Sequence, residues 1–368
     1  MNSYTVCFAN YTIGADAYEN VADLCQIYGT RILLIGGSKA LGAGKEKLED
    51  AIRESVLTIA ETVEYGSDCT YAWIEKWADY ARELDVDMIF GMGGGKALDT
   101  AKGAAEKAGL PVFTFPTTAA TCAATTALSV VYREDGNFDS FYFYERPAIH
   151  CFIDTQIIAE SPAAYLRAGM GDTIGKHFEC HFAARGDKLS HSSALGREIS
   201  NLCYGPILEH GEQALADCRK NLATHALEQV ILANIVSTGL VSLLVIDDYN
   251  CAVAHSVYYG LVLLEGFEER YLHGDVVAYG VLVQLAIDGD EAKMMELKRF
   301  MERLGIPSTL KDMGVEVKRE HLEAVLKETV AGPDMEHIPY EITEDMVFER
   351  CRKSSGYKEK NDGNYNGD

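Results

Sequence analysis

Gly91-Met92-Gly93-Gly94-Gly95-Lys96-Ala97-Leu98-Asp99-Thr100-Ala101-Lys102 is the stretch that decides the fold. The apolar run Met88-Ile89-Phe90 precedes it, and an alanine-rich, helix-forming segment follows. A short apolar strand that ends in glycines and opens a helix is the unit of an α/β layer with parallel strands. Three adjacent glycines let backbone N–H groups approach a bulky anion with no Cβ in the way. The helix N-terminus adds unsatisfied donors and the positive end of its dipole. A pyrophosphate fits such a place. The spacing matches neither G-x-G-x-x-G nor G-x-x-x-x-G-K-[ST], so neither motif supplies this reading.

Outward from that stretch the same texture repeats. Arg31-Ile32-Leu33-Leu34-Ile35 ends at Gly36-Gly37, and Pro111 to Phe115 and Ile149 to Ile153 read as further strands. Ile74, Trp77, Tyr80 and Ala81 mark a helix over 71–84 by their spacing. After Pro162 the pattern changes to long helical stretches over 207–219, 227–246 and 290–304, without convincing strands. The expected architecture is an α/β dinucleotide-binding domain with a parallel sheet over 1–160 and an all-α domain over 161–351. A frayed polar tail is expected over 352–368. Strand ends on one edge of a parallel sheet are where ligands bind. That places the hydroxyl-rich loop carrying Thr117 and Thr118 beside the glycines. Gly37, Ser38 and Lys39 end the earlier strand with a donor, a hydroxyl and a cation, and no carboxylate. An acidic residue there would repel a 2′-phosphate, so this loop favours NADP(H) over NAD(H).

Composition narrows the function. The 368 residues carry 33 Lys and Arg against 56 Asp and Glu, a net charge of −23. Nucleic-acid binders normally show the opposite sign, so no nucleic-acid partner is expected. The start lacks a basic segment followed by an apolar one, and no uninterrupted apolar run reaches the ~18 residues of a membrane helix. The ten cysteines are scattered without C-x-x-C pairs, as free thiols in a reducing cytoplasm are. The expectation is a cytoplasmic protein with no membrane partner.

Metal sites of the Asp/His type need a carboxylate and neutral imidazoles converging on one point. Asp172, His255 and His273 are candidates among several other histidines, and no pair of them has i, i+4 spacing. Spacing alone does not assemble them.

Three blocks carry a resemblance. They are GMGGGKALDTAK over 91–102 with PTTAATCAATTALSVVY over 116–132, GMGDTIGKHFE over 169–179, and AVAHSVYYGL over 252–261 with YLHGDVVAYG over 271–280. In order and spacing the sequence resembles the iron-containing (group III) alcohol dehydrogenase and glycerol dehydrogenase superfamily, over nearly the whole chain. The resemblance implies a dehydroquinate synthase-like fold, an α/β dinucleotide-binding domain and an all-α metal-binding domain with the active site between them. It makes Asp172, His255 and His273 ligands of one divalent metal, Zn(II) or Fe(II). It puts pyrophosphate on Gly93, Gly94, Gly95 and Lys96 and makes Asp99 a cofactor-side acid. Thr117 and Thr118 become cofactor contacts, and Thr126, Leu128 and Tyr132 line the nicotinamide pocket. By analogy the chain is expected to form a homo-oligomer.

Two departures bear on the substrate. Cys122 stands where glycerol dehydrogenases carry a polyol-contacting Asp, as in a hydroxycarboxylate dehydrogenase-like branch. Losing that charge eases entry of a carboxylate. Tyr258 stands where many relatives have a His, and a phenol is a poorer proton relay near neutral pH. The expected reaction interconverts a small alcohol or hydroxy acid and its carbonyl. The favoured substrates are 2-oxo and 2-hydroxy carboxylates with NADPH, and the alternative is glycerol with NAD. Two other readings are set against these. A dehydroquinate-synthase-like lyase typically has a Glu as first ligand and basic residues for a phosphate, neither of which is present. A non-catalytic dinucleotide-binding relative would usually have lost a ligand or the glycine loop.

Overall fold

The computed structural model describes residues 5–354. Six parallel strands form one sheet in the order β1-β8-β5-β4-β2-β3. They are β1 (Asn10–Gly14), β2 (Arg31–Gly36), β3 (Thr58–Glu64), β4 (Met88–Gly93), β5 (Val112–Pro116) and β8 (His150–Asp154). A two-stranded antiparallel hairpin, β6 (Leu128–Tyr132) with β7 (Phe138–Phe143), lies outside the sheet. The inner strands β2, β4 and β8 are almost wholly buried, as strands covered on both faces must be.

The chain reverses direction across the sheet between β2 and β4. From β2 it steps outward to β3 and then returns to β4 on the other side. A crevice opens at the carboxyl ends of strands at such a switch point. Two helices start there, α1 (Ser38–Ile52) after β2 and α3 (Gly95–Ala108) after β4, while α2 (Tyr71–Glu83) crosses between β3 and β4. The Gly37 N–H donates to the Met92 carbonyl, which ties the two strand ends together.

Beyond β8 the described residues are helical, with no strand. Three helices matter for the site: α4 (Ala163–Ala183), α5 (Val253–Leu261) and α6 (His273–Ile287). From Gly274 to Ile287 every residue of α6 is buried, so it is apolar all round rather than amphipathic. It crosses α4 at two glycines. A Cβ on Gly171 would stand 2.2 Å from the Gly274 carbonyl oxygen, and one on Gly274 would stand 1.8 Å from that of Ala168. These are backbone atoms on both sides, so neither can swing away. Gly274→Ala is expected to force the helices apart and cost about 1–3 kcal/mol or more. Calorimetry checks this as a melting temperature lowered by several degrees; an unchanged melt would mean that the crossing is not tight.

A third connection ties the helices to the sheet loops. The helix over 225–244 has a π-turn at Leu232–Ser237. Its Ile235 carbonyl accepts from the Thr125 hydroxyl at 2.6 Å, and Asn234 Nδ2 donates to the Ala119 carbonyl at 2.9 Å. The wider π register frees polar groups for such contacts. Among the described residues this is the helix long and apolar enough to cross a membrane by length and composition. However, 67% of its apolar window is buried inside the protein, as in a core helix.

The last helix, Glu344–Ser354, takes in the first three residues of the expected tail, because Val347 and Cys351 pack into the helical core. Residues 355–368 lie outside the described residues.

Candidate active site

Asp172 projects from the middle of α4. His255 comes from the first turn of α5 and His273 is the first residue of α6. The α4–α6 glycine crossing is one residue from both Asp172 and His273, so the close backbone approach brings these side chains together. Nε2 of each histidine lies 3.5 Å from Asp172 Oδ1. The three ligand atoms are all within 4.8 Å of one another. Burial would raise the Asp172 pKa, but hydrogen bonds from His255 and His273 outweigh it and hold the carboxyl well below its usual range. Side-chain exposure rises from 8% at His255 and 13% at Asp172 to 37% at His273. The open side of the cluster is therefore beside His273.

Sequence reasoning missed one residue here. Glu179, wholly buried, lies seven residues beyond Asp172, two turns along the same face of α4. Its Oε1 accepts from the backbone N–H groups of Ala252 and His255, both at 2.8 Å, and so caps α5 from another helix. Its Oε2 lies 2.5 Å from His255 Nδ1. A carboxylate there holds the proton on Nδ1, so that Nε2 is the atom that gives up its proton and offers its lone pair when a metal binds. One carboxylate and two imidazoles with free Nε2 atoms, one of them fixed in its tautomer, form a donor set that fits a divalent ion with open positions. The i, i+7 spacing of Asp172 and Glu179 on one helix was the available signal.

Cys122 and Tyr258 both border this cluster. Cys122 lies close enough to Asp172 and Lys176 to feel their charges, and burial pushes its thiol up to about 12, so it is neutral. The Tyr258 ring meets His273 edge-on, with centroids 4.3 Å apart. Its hydroxyl donates to Glu268 Oε1 at 2.6 Å, and burial followed by that carboxylate raises its pKa further. The Tyr258 proton is thus engaged by Glu268, and the ring is what it presents to His273.

The glycine loop sits where the sequence placed it. Gly93 has φ +151°, and a Cβ there would meet Ala97 Cβ at 2.8 Å. Gly94 is the N-cap of α3 and offers no side chain to the first-turn N–H groups. Thr118 and Thr121 hydroxyls stand 3.4 and 3.2 Å from where Cβ atoms on Gly94 and Gly95 would be. The Thr117 N–H donates to the Gly93 carbonyl at 3.1 Å. Across the switch point, Gly37 caps α1, and Ser38 and Lys39 begin it.

Three residues expected at the cofactor have other partners. Asp99 is buried against Lys102 Nζ at 2.9 Å and accepts from the Val130 N–H at 3.1 Å. The Thr126 hydroxyl lies 3.1 Å from the same ammonium. Lys102 also donates to the Ala123 and Leu128 carbonyls. This buried pair clamps the loop over 117–128 from behind. Lys96 is drawn to Asp68 at 2.7 Å and lies over the Tyr132 ring at 4.6 Å. Leu128 is half-buried at the start of β6.

The switch-point crevice, with its two helix N-termini, and the Asp–His–His cluster meet at the loop over 117–128, which touches Gly95 through Thr121 and lies beside Asp172 through Cys122. The chain belongs to the iron-containing alcohol dehydrogenase family, oxidoreductases acting on alcohols and polyols. The model of that family matches residues 9–154. A glycerol dehydrogenase from Escherichia coli is 30% identical over 348 residues, covering 92% of each chain. The Escherichia coli protein named hydroxycarboxylate dehydrogenase A is 31% identical over 332 residues, 89% of this chain and 90% of that one. The crystal structure of a glycerol dehydrogenase from Schizosaccharomyces pombe superposes with a TM-score of 0.87 at 25% identity, over 97% of this chain and 91% of that one.

Proposed function

We propose that the chain reduces small 2-oxo carboxylates to 2-hydroxy carboxylates with NADPH, using one divalent metal, Zn(II) or Fe(II), held by Asp172, His255 and His273. The observation that carries the metal assignment is the convergence of these three ligand atoms with Glu179 behind His255. When bound, the metal supplies Lewis acidity toward a carbonyl oxygen and the nicotinamide supplies the hydride. The protein's part is orientation. The α1 and α3 N-termini receive the pyrophosphate, with Thr117, Thr118 and Thr121 beside it, and Leu128 and Tyr132 bound the nicotinamide side. The neutral Cys122 leaves room and no repulsion for a substrate carboxylate. In this reading residues 1–160 form the cofactor domain and 161–351 the metal domain. The ten free thiols support a cytoplasmic setting. The exposed Phe138, Phe141 and Phe143 of the hairpin support a homo-oligomer.

A second reading, polyol oxidation with NAD(H), has its own support. Glu64 stands opposite Gly36 in the β2–β3 register, a carboxylate at the corner where a 2′-phosphate would sit. The relatives named glycerol dehydrogenase agree with it. A panel of 2-oxo acids, dihydroxyacetone and aldehydes with NADPH and NADH, on Zn- and Fe-loaded protein, separates the two. Efficient dihydroxyacetone reduction with NADH alone would overturn the first. Lys39 has no ion pair among the described residues, so its charge is free for a 2′-phosphate. Lys39→Ala is expected to raise KM for NADPH about 10-fold and to leave KM for NADH within about twofold, as loss of one charged hydrogen bond implies. Equal effects on both cofactors would remove Lys39 from specificity.

A further inference from the structure

Two lysines are buried among the described residues, and they are treated differently. Lys102 is matched by Asp99 at 2.9 Å. Lys176 is 8% exposed, and its Nζ donates to the carbonyl of Asn250 at 2.7 Å and to its Oδ1 at 3.2 Å. Both acceptors are neutral. Among the described residues no carboxylate comes within ion-pair distance of Lys176. A buried ammonium without a counter-ion is costly to hold and calls for an anion.

The position of Lys176 indicates which anion. It stands four residues beyond Asp172, one turn along the same face of α4. Cys122 lies within electrostatic reach of both. Burial opposes the charge on Lys176, while the negative field of Asp172 and Glu179 nearby favours it. Residues four apart on a helix are neighbours on one face, so Lys176 and the cluster's carboxylate border the same region beside Cys122. Charge points the same way. Asp172 and Glu179 together balance a divalent ion, which leaves the ammonium of Lys176 as the uncompensated charge of the enclosure. A monocarboxylate supplies one negative charge.

We propose that Lys176 is the specificity-determining residue that receives the substrate carboxylate, while the carbonyl oxygen faces the Asp172–His255–His273 cluster. This rests on the reading of a 2-oxo acid substrate given above. It adds the group that selects an acid over a neutral ketone, which Cys122 alone only permits.

The test compares 2-oxobutanoate with the neutral 1-hydroxy-2-butanone on wild type, Lys176→Met and Lys176→Arg. It adds calorimetric titration of oxamate, a non-reducible carboxylate analogue, onto NADPH-loaded protein. In the Met variant the ratio of kcat/KM for acid over ketone is expected to fall about 10- to 100-fold, the weight of one charged hydrogen bond. Oxamate affinity should weaken by a similar factor, and Arg should recover part of both. A ratio unchanged within threefold, with equal loss on both substrates, would make Lys176 a tether for the Asn250 loop and overturn the proposal while the 2-oxo acid reading stood. If wild type turns over the ketone but no 2-oxo acid, the substrate reading fails. Oxamate then decides Lys176 separately: binding lost in the Met variant supports it, and no binding by wild type overturns it.

Discussion

Asp172→Ala is expected to lose bound metal and turnover together while the sheet and helices stay in place. The residue supplies the only charged ligand atom of the cluster, and both histidine Nε2 atoms sit 3.5 Å from it. Without it two neutral imidazoles remain, one of them 37% exposed, which is a weak divalent site. Lewis-acid stabilisation is worth several kcal/mol, so kcat/KM should drop at least about 1000-fold. The fold has no comparable dependence on this carboxylate, because α4 is held by its glycine crossing with α6 and by the Arg167–Asp275 pair, bonded twice at 3.0 and 2.6 Å. Elemental analysis, circular dichroism and steady-state rates on one preparation check this. Asp172→Asn separates charge from shape, since the amide keeps an oxygen but not the negative charge, and it should behave close to Ala in metal content. Full turnover by metal-free Asp172→Ala would overturn the assignment.

How much of this was legible in the sequence depends on burial and on chain separation. The strands at 31–36, 88–93, 112–116 and 150–154 showed as apolar runs because the sheet buries both their faces. The edge strands did not. Thr58–Glu64 and Asn10–Gly14 are half in water, and their threonines, asparagine and glutamates read as loop. The hairpin was hidden for the same reason, with Phe138, Phe141 and Phe143 exposed between polar residues. The glycine loop was legible because its chemistry is local: strand, glycines and helix are consecutive. The ligand cluster was not legible from spacing, since His255 lies 83 residues beyond Asp172 in the chain, and the contacts that bring the three helices together, at Gly171 and Gly274 and through Glu179, are tertiary. Asp99 is a different case. The resemblance implied a cofactor-side acid, and in the structure α3 turns it inward to Lys102.

Glu179→Gln is expected to weaken metal binding about 10- to 100-fold, the usual effect of losing a ligand's hydrogen-bond partner. The change is nearly isosteric, so the loss comes from proton placement. The wild-type carboxylate accepts three hydrogen bonds, two from the backbone N–H groups that open α5 and one from His255 Nδ1. A glutamine has one oxygen to offer. If the oxygen stays on the two backbone donors, the NH2 group faces Nδ1, which must then accept. The ring proton moves to Nε2, the atom that faces Asp172, and the ligand lone pair is lost. If the amide turns over, its N–H groups confront the Ala252 and His255 N–H groups, and two buried donors go unpaired at about 1–3 kcal/mol each. The first arrangement disrupts one bond rather than two, so the tautomer switch is the expected outcome. Competition with a chelator should show the weaker affinity, and excess metal should restore part of kcat, which it cannot do for Asp172→Ala. Nitrogen NMR of the histidine side chains reads the tautomer directly, with the His255 proton on Nδ1 in wild type and on Nε2 in the variant. Wild-type metal affinity with the proton still on Nδ1 would show that Glu179 serves only as the cap of α5.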